Sequence, residues 1–307
     1  VSEQYYVTGD RGFVGSHLRE RLLALGHRVV GIDRVPPTEA RAVSGYEPVT
    51  VDLADRRAVL DVFGSREMPA TLFHMAARLS ATDDDPLQPH LEANLRTAEN
   101  LLEAIDGRGV AFIASSTMSV YGLPPDKIPV CEDDIPRPCE AYGVSKLAAE
   151  CTVERMARAG RISAVVLRYA GIFGPGYNYG ALHLYASKAL GGEPISVYGN
   201  GAIIRDYVHV EDVVSANLLA ARAAQRLGWG LFHIGGGEPS ALAAIARMVV
   251  DACGGGTVET NDRPGTFDFG FDITQARKQL GYAPPPLKER IAQYVRNFRL
   301  HDKGIAP

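Results

Sequence analysis

Tyr5-Tyr6-Val7-Thr8-Gly9-Asp10-Arg11-Gly12-Phe13-Val14-Gly15 is the stretch that decides the fold. Its first four residues are a short apolar strand. A helix-like segment from about Gly12 to Leu25 follows and leads to a second strand, Val29-Val30-Gly31-Ile32-Asp33. That order is a βαβ unit. Gly9, Gly12 and Gly15 fall between the strand and its helix, so they permit a tight turn and the close approach of a pyrophosphate to the helix N-terminus. Free N–H groups and the helix dipole favour an anion there. Asp33 closes the second strand roughly 20 residues after the glycines, where a carboxylate accepts from a ribose hydroxyl and repels a 2′-phosphate. NAD is therefore expected over NADP, with Arg34 beside it acting in the opposite sense.

Working outward, strands are expected at Pro48–Val51, Thr71–His74, Val110–Ser115 and Ile162–Tyr169, and helices at Pro86–Ala104 and Ala141–Ala159. Repeated β–α alternation implies an α/β fold with a doubly wound parallel (Rossmann-type) sheet. After Tyr169 the texture changes. Gly171–Gly180 is rich in Gly, Tyr and Pro, and the later helical patterns, Val210–Gln225, Ser240–Ala252 and Leu287–Phe298, are separated by longer loops. Residues 1–170 read as a dinucleotide-binding domain to which about 206–235 return, and 171–307 as a smaller, partly discontinuous substrate lobe. The Asp83-Asp84-Asp85 run reads as a solvated loop.

With 307 residues, 46% of them hydrophobic, the chain can bury a sizeable core. Thirty-two Lys and Arg against 36 Asp and Glu leave a net charge of −4. No surplus of positive charge exists to neutralise a nucleic-acid backbone or an anionic membrane. No apolar run approaches the ~20 residues needed to span a bilayer. The N-terminus reads as a polar lead into a strand rather than a signal peptide, so a cytoplasmic location is expected. Cys131, Cys139, Cys151 and Cys253 show no CxxC spacing, which argues against zinc and against a disulfide framework. His74, His183, His209 and His233 lack ligand spacing too, and no metal is expected.

Further motifs follow in order. Thr8-Gly9-x-x-Gly12-x-x-Gly15, Asp52-Leu53, His74-Met75-Ala76-Ala77-Arg78, Asn94, Ser115-Ser116-Thr117-Met118-Ser119-Val120-Tyr121-Gly122 and Tyr142-Gly143-Val144-Ser145-Lys146 together resemble the extended short-chain dehydrogenase/reductase family. The resemblance covers nearly the whole chain. It implies that Gly9, Arg11, Gly12, Phe13, Val14, Gly15, Asp33 and Arg34 line the NAD site and that Asp52 and Leu53 contact the adenine. Met75, Ala76, Ala77 and Arg78 would pass beneath the cofactor. Asn94, Ser115, Tyr142, Lys146 and Tyr169 would complete its surroundings. A homodimer through a helix bundle that includes the Tyr142 helix is implied as well.

Tyr142 and Lys146 stand four apart in a helical stretch, so both side chains share one face and can meet over a nicotinamide. A free phenol titrates near ~10, whereas a general base should titrate near the working pH. Lowering it to about 7 takes roughly 4 kcal/mol of differential stabilisation of the phenolate. Lys146 and the positive nicotinamide ring are expected to supply it. The Thr117 hydroxyl would hold the same substrate oxygen. The implied step is hydride transfer to NAD from a sugar carbon, C4 by resemblance, as Tyr142 removes the hydroxyl proton.

Leu167-Arg168-Tyr169-Ala170-Gly171-Ile172-Phe173-Gly174-Pro175-Gly176 resembles the segment leading into the substrate lobe of sugar-nucleotide epimerases and dehydratases, many of which carry Asn where this chain has Gly171. Val197-Tyr198-Gly199-Asn200-Gly201 and Arg205-Asp206-Tyr207-Val208-His209-Val210 match more specifically. Arg205 and Arg263 would grip the diphosphate of a UDP- or dTDP-hexose, since planar guanidinium donors suit phosphate. Val197 and Tyr198 would contact the base. A reductase of small ketones would not need these arginines, and a non-catalytic dinucleotide-binding regulator would not need the Tyr/Lys pair.

A C4 ketone makes the neighbouring C–H bonds acidic, so epimerisation and dehydration share one intermediate. Ordinary 4,6-dehydratases of the family place an Asp-Glu pair directly after the active-site Thr; here Met118 and Ser119 follow Thr117. Cys139 and Glu140, at the entrance to the Tyr142 helix, supply a thiol and a carboxyl in their place. The leading expectation is dehydration across C5–C6 by Glu140 and Cys139, similar to the UDP-N-acetylglucosamine 5,6-dehydratases of tunicamycin-type antibiotic biosynthesis. The alternative is 4-epimerisation of a UDP-hexose, with Glu140 a first-turn acid stabilised by the helix dipole.

Overall fold

The computed structural model describes residues 2–37, 43–80, 84–122, 124–264 and 267–302, with side chains to Phe298. Asp83, Gly265 and residues 303–307 lie outside the described residues. The main sheet draws on β1 (Gln4–Thr8), β2 (Arg28–Asp33), β3 (Tyr46–Thr50), β4 (Thr71–His74), β5 (Ala111–Thr117) and β6 (Ser163–Tyr169). Between them run α1 (Phe13–Ala24), α2 (Arg56–Gly64), α3 (87–105) and α4 (Ala141–Arg158). A π-helical turn, Leu91–Arg96, interrupts α3. The chain continues through β7 (Gly171–Phe173), α5 (Gly180–Leu190), β8 (Ile195–Val197), β9 (Ile204–Arg205), β10 (Tyr207–His209) and α6 (Val210–Leu227). It ends with β11 (Trp229–Ile234), β12 (Ser240–Ala241), α7 (Leu242–Cys253), β13 (Val258–Thr260), α8 (Thr274–Leu280) and α9 (Leu287–Asp302).

Seven strands pair in the order β3-β2-β1-β4-β5-β6-β11, every pair parallel. This is the doubly wound Rossmann-type sheet that the alternation implies. Successive residues of each strand feed opposite layers. Tyr6, Phe112 and Val166 pack with Val59, Leu101 and Val153 from α2, α3 and α4. Val7, Ile113 and Leu167 pack with Leu18 and Leu22 of α1 and with Val213 and Ala220 of α6. A third core, built on Leu182, Tyr185, Ile195, Val197, Ile245, Val249 and Ile291, belongs to the C-terminal lobe.

Two helices go beyond the sequence reading. In α2, Asp55 caps the N-terminus by accepting from Ala58 N at 3.1 Å. In α5, Leu182, Tyr185, Ala186 and Ala189 are buried at helical spacing, directly after the Gly- and Tyr-rich stretch that reads as loop. Ser240 and Ala241, expected to open a helix, instead pair with Arg205 and Ile204 in β12 and β9.

Asp206 ties three distant segments together. Its carboxylate accepts from Gly236 N at 2.9 Å and Phe271 N at 3.1 Å, and its carbonyl accepts from Gly171 N at 3.1 Å. Burial raises this carboxyl to about 6. The folded chain therefore binds the proton more tightly than the unfolded chain does. The stability this contributes is fully present below about pH 4 and is lost as pH rises through about 6. By urea unfolding, the stability of wild type relative to Asp206→Asn should fall by about 3 kcal/mol between pH 4 and pH 7. A difference independent of pH would show that Asp206 does not titrate this way.

Candidate active site

The glycine loop closes by backbone contacts. Gly9 N donates to Ile32 O at 2.8 Å and Gly12 N to Gly9 O at 3.0 Å. Gly9 has φ +64°, and a Cβ there would lie 2.7 Å from the Ala76 backbone. A Cβ on Gly15 would fall 2.0 Å from Gly9 O, so Gly15 serves the packing of α1 against the loop and not ligand contact. Gly12 is the N-cap of α1, with no side-chain cap and no acid in the first turn. The first N–H groups of that helix are left for an anion.

A cavity of about 320 Å³ runs from this loop, lined among others by Gly9, Arg11, Gly12, Asp33, Arg34 and Asp52. Leu53, Met75, Ala76, Ala77 and Arg78 line it too, as do Ala93 and Thr97 of α3, which the sequence reading omitted. Asp33 accepts from Arg11 N at 3.3 Å and Val35 N at 3.0 Å. Each carboxylate oxygen keeps a lone pair for a hydroxyl. Arg11 Nη1 donates to Val35 O. Its Nε and Nη2 are buried without a partner among the described residues. A closed glycine cradle, a carboxylate with lone pairs to spare and unspent guanidinium donors fit a dinucleotide.

Other expected cofactor residues stand outside this cavity lining. Asn94 is fully buried in the π turn: its Oδ1 accepts from Arg78 N at 2.7 Å, and its Nδ2 donates to Arg78 O at 3.1 Å and Ser145 Oγ at 2.8 Å. It ties the segment after β4 to the helix that bears Tyr142 instead of facing the cavity. Ser115 Oγ donates to His74 O at 3.0 Å. Tyr169 is buried, its hydroxyl accepting from Asn217 Nδ2 at 2.9 Å. Val14 packs against the core, and Phe13 stacks on Tyr177 with ring centroids 5.0 Å apart. His17 Nε2 meets Pro175 O at 2.9 Å beside that stack, fastening the 174–179 loop to the start of α1.

Tyr142 and Lys146 sit on α4, and the Tyr142 phenol lies near the Thr117 side chain at the end of β5. Thr117 Oγ1 also accepts from Ser119 N at 3.2 Å. Burial pushes the phenol well above its ordinary value, the Thr117 hydroxyl opposes this, and the Glu140 carboxylate adds to it. The depression expected from Lys146 is therefore absent from the chain by itself. Lys146, 3% exposed, is brought down to about 8 by burial, with Glu150 acting against the fall. Oxidised nicotinamide is the remaining cation able to favour the phenolate. His74 is held neutral by burial, with Nδ1 2.9 Å from Thr8 Oγ1. Glu140 occupies the N-cap position of α4 yet caps nothing with its side chain. Cys139 is exposed.

In the second lobe the guanidinium of Arg205 lies 4.5 Å from the centroid of the Phe267 ring, a partner the sequence reading missed, and donates to Ile204 O at 2.9 Å. Arg263 is exposed, and its carbonyl accepts from Gly199 N at 2.8 Å, which brings it beside the half-exposed Tyr198. Val197 is a correction: its side chain is fully buried in the lobe core and has no surface to offer a base. At Gly171, a Cβ would lie 3.1 Å from the Tyr207 ring. Among the described residues no group of three or more His, Cys, Asp or Glu is arranged to hold a metal, and no helix is long and apolar enough to cross a membrane.

The model of the NAD dependent epimerase/dehydratase family matches residues 5–235. The chain belongs to this family. It is 31% identical to a UDP-glucose 4-epimerase of Mycolicibacterium smegmatis over 95% of this chain and 97% of the relative. Its structure is similar to that of the UDP-glucose 4-epimerase of Thermotoga maritima with UDP-glucose (TM-score 0.83, 29% identity, 97% of this chain and 99% of that one). It is likewise similar to the Thermus thermophilus UDP-glucose 4-epimerase in complex with NAD (TM-score 0.80, 29% identity, 96% and 99% covered). The protein is thus an NAD-dependent enzyme of the nucleotide-sugar epimerase/dehydratase class.

Gly12 is exposed at φ −78°, and a Cβ there would lie 3.2 Å from Gly9 O, so a side chain fills the cradle at the cost of a small shift of the loop. Gly12→Val should weaken NAD binding by calorimetry about tenfold or more, roughly 1.4 kcal/mol or above, in a variant that still unfolds cooperatively. An unchanged Kd would place the pyrophosphate elsewhere.

Proposed function

We propose that this enzyme is a UDP-hexose 4-epimerase working through Thr117, Tyr142 and Lys146. The observation that carries the reading is the neighbourhood of Thr117. Met118 packs against the core and Ser119 is buried, so no acid–base pair stands beside the sugar for elimination. The 4-epimerases to which the chain is similar over nearly its whole length support the same reading.

NAD, held by the glycine loop and Asp33, supplies the hydride acceptor and returns the hydride. Tyr142 removes the proton of the C4 hydroxyl while Thr117 holds that oxygen, which leaves a C4 ketone. Once the sugar has turned its other face to the same groups, Tyr142 gives the proton back and the epimeric hydroxyl results. Nothing has to touch the C5 proton. Arg205 and Arg263 hold the diphosphate and Tyr198 borders the base. A homodimer through the helix bundle containing α4 is part of the same proposal.

A second reading, dehydration across C5–C6, draws on Glu140. Its carboxylate caps nothing and lies near enough to raise the Tyr142 phenol. Cys139, being exposed, is a poor partner for it.

Incubation with UDP-hexoses deuterated at C5, followed by mass and proton NMR, separates the two. An epimerase keeps mass and label and yields a new sugar; a dehydratase loses the mass of one water and washes out label. Tyr142→Phe should lower kcat by about 10²–10⁴ with NAD binding intact, and Glu140→Gln should leave kcat within about twofold. Label washout abolished by Glu140→Gln would replace the epimerase reading with the dehydratase one.

A further inference from the structure

We infer that Glu150, with Arg168 behind it, is a positioning residue for the reaction: it locks the strand that carries Thr117 to the helix that carries Tyr142 and Lys146, and it keeps a negative charge one helical turn beneath the Lys146 ammonium. This rests on Tyr142 and Lys146 being the reactive pair, but not on whether the ketone is epimerised or dehydrated.

Glu150 follows Lys146 by four residues on α4, so the two share a face. It is 7% exposed. Ser116, the residue before Thr117, donates its hydroxyl to Glu150. Arg168 of β6, 3% exposed, donates through Nε at 3.0 and 3.2 Å and through Nη2 at 2.5 Å. One carboxylate thus joins α4, β5 and β6 at the sheet edge where the reactive groups emerge.

Arg168 is itself anchored. Its Nη1 donates to the Tyr121 hydroxyl at 2.5 Å, and the guanidinium lies 4.8 Å from the centroid of that ring. The Tyr121 hydroxyl meets His233 Nε2 at 2.6 Å, and His233 N donates to Glu132 at 2.9 Å. Stability alone gives no reason for such an assembly, because buried ion pairs are commonly no better than apolar residues of the same volume. Function at Lys146 does give one.

The charges around Lys146 are few. His74 on β4 is neutral, Tyr142 is protonated, and Thr117, Asn94 and Ser145 are uncharged. Arg168 spends its charge on Glu150. Glu150 is the group that opposes the desolvation of the ammonium. Removing it leaves two buried cations, Lys146 and Arg168, without the anion that neighbours each.

The test is an ¹⁵Nζ-lysine NMR titration of the NAD-bound enzyme, run beside the pH profile of kcat. It compares wild type, Glu150→Gln, Glu150→Asp and the doubly neutral Glu150→Gln/Arg168→Gln, which removes both buried charges and so tests the idea even if the single variant does not fold. In both Gln variants the Lys146 titration should move down by about one pH unit. The alkaline limb of kcat should follow it, and kcat at pH 8 should fall about tenfold, while Glu150→Asp should restore the titration. An unmoved Lys146 titration in the folded double variant overturns the electrostatic role, and an unmoved kcat overturns the positioning role. The NMR titration needs no substrate, so its outcome stands apart from the fate of the 4-epimerase reading.

Discussion

The close approach of three backbone segments at the end of β1 is the constraint on which the site depends. Gly9 touches Ala76 and Gly15 touches Gly9 at distances that leave no room for a Cβ. That contact fixes where α1 begins relative to β4. Because the strands run parallel and in register, with Thr8 opposite Ile32 and His74 and Thr117 opposite Tyr169, every other strand end is then brought to the same edge. A doubly wound sheet concentrates its chemistry at that edge, and here the loop glycines, Thr117 and the helix bearing Tyr142 converge on it.

Burial sets the electrostatic character of the site. It raises the Tyr142 phenol and lowers Lys146, Arg205 and His74, so each group is biased toward its neutral form. The phenol and the imidazole rest neutral, whereas Lys146, brought down only to about 8, keeps most of its charge at neutral pH beside Glu150.

Much of this was legible in the sequence, because glycine spacing and the alternation of apolar runs with helical patterns report directly on backbone geometry. Asp33, Thr117, Tyr142 and Lys146 were legible for the same reason: their positions are tied to strand ends and to a single helix face. What escaped depends on contacts between distant segments. Val197 looks like a ligand contact in sequence, yet its place at a strand end inside a third core buries it. Phe267 under Arg205, Tyr177 on Phe13 and the Glu150–Arg168 pair join residues 18 to 164 positions apart, and no local pattern announces them. In the chain by itself desolvation dominates the phenol, a balance that depends on burial and that no spacing reports.

The space around Gly171 has a bearing on how such enzymes diverge. The resemblance implies an amide side chain there in many relatives; here even a Cβ would meet the Tyr207 ring at 3.1 Å and the Asp206 carbonyl at 3.2 Å. Positions 171 and 207 are therefore coupled: any side chain at 171 requires the Tyr207 ring to yield, so the two cannot be varied independently.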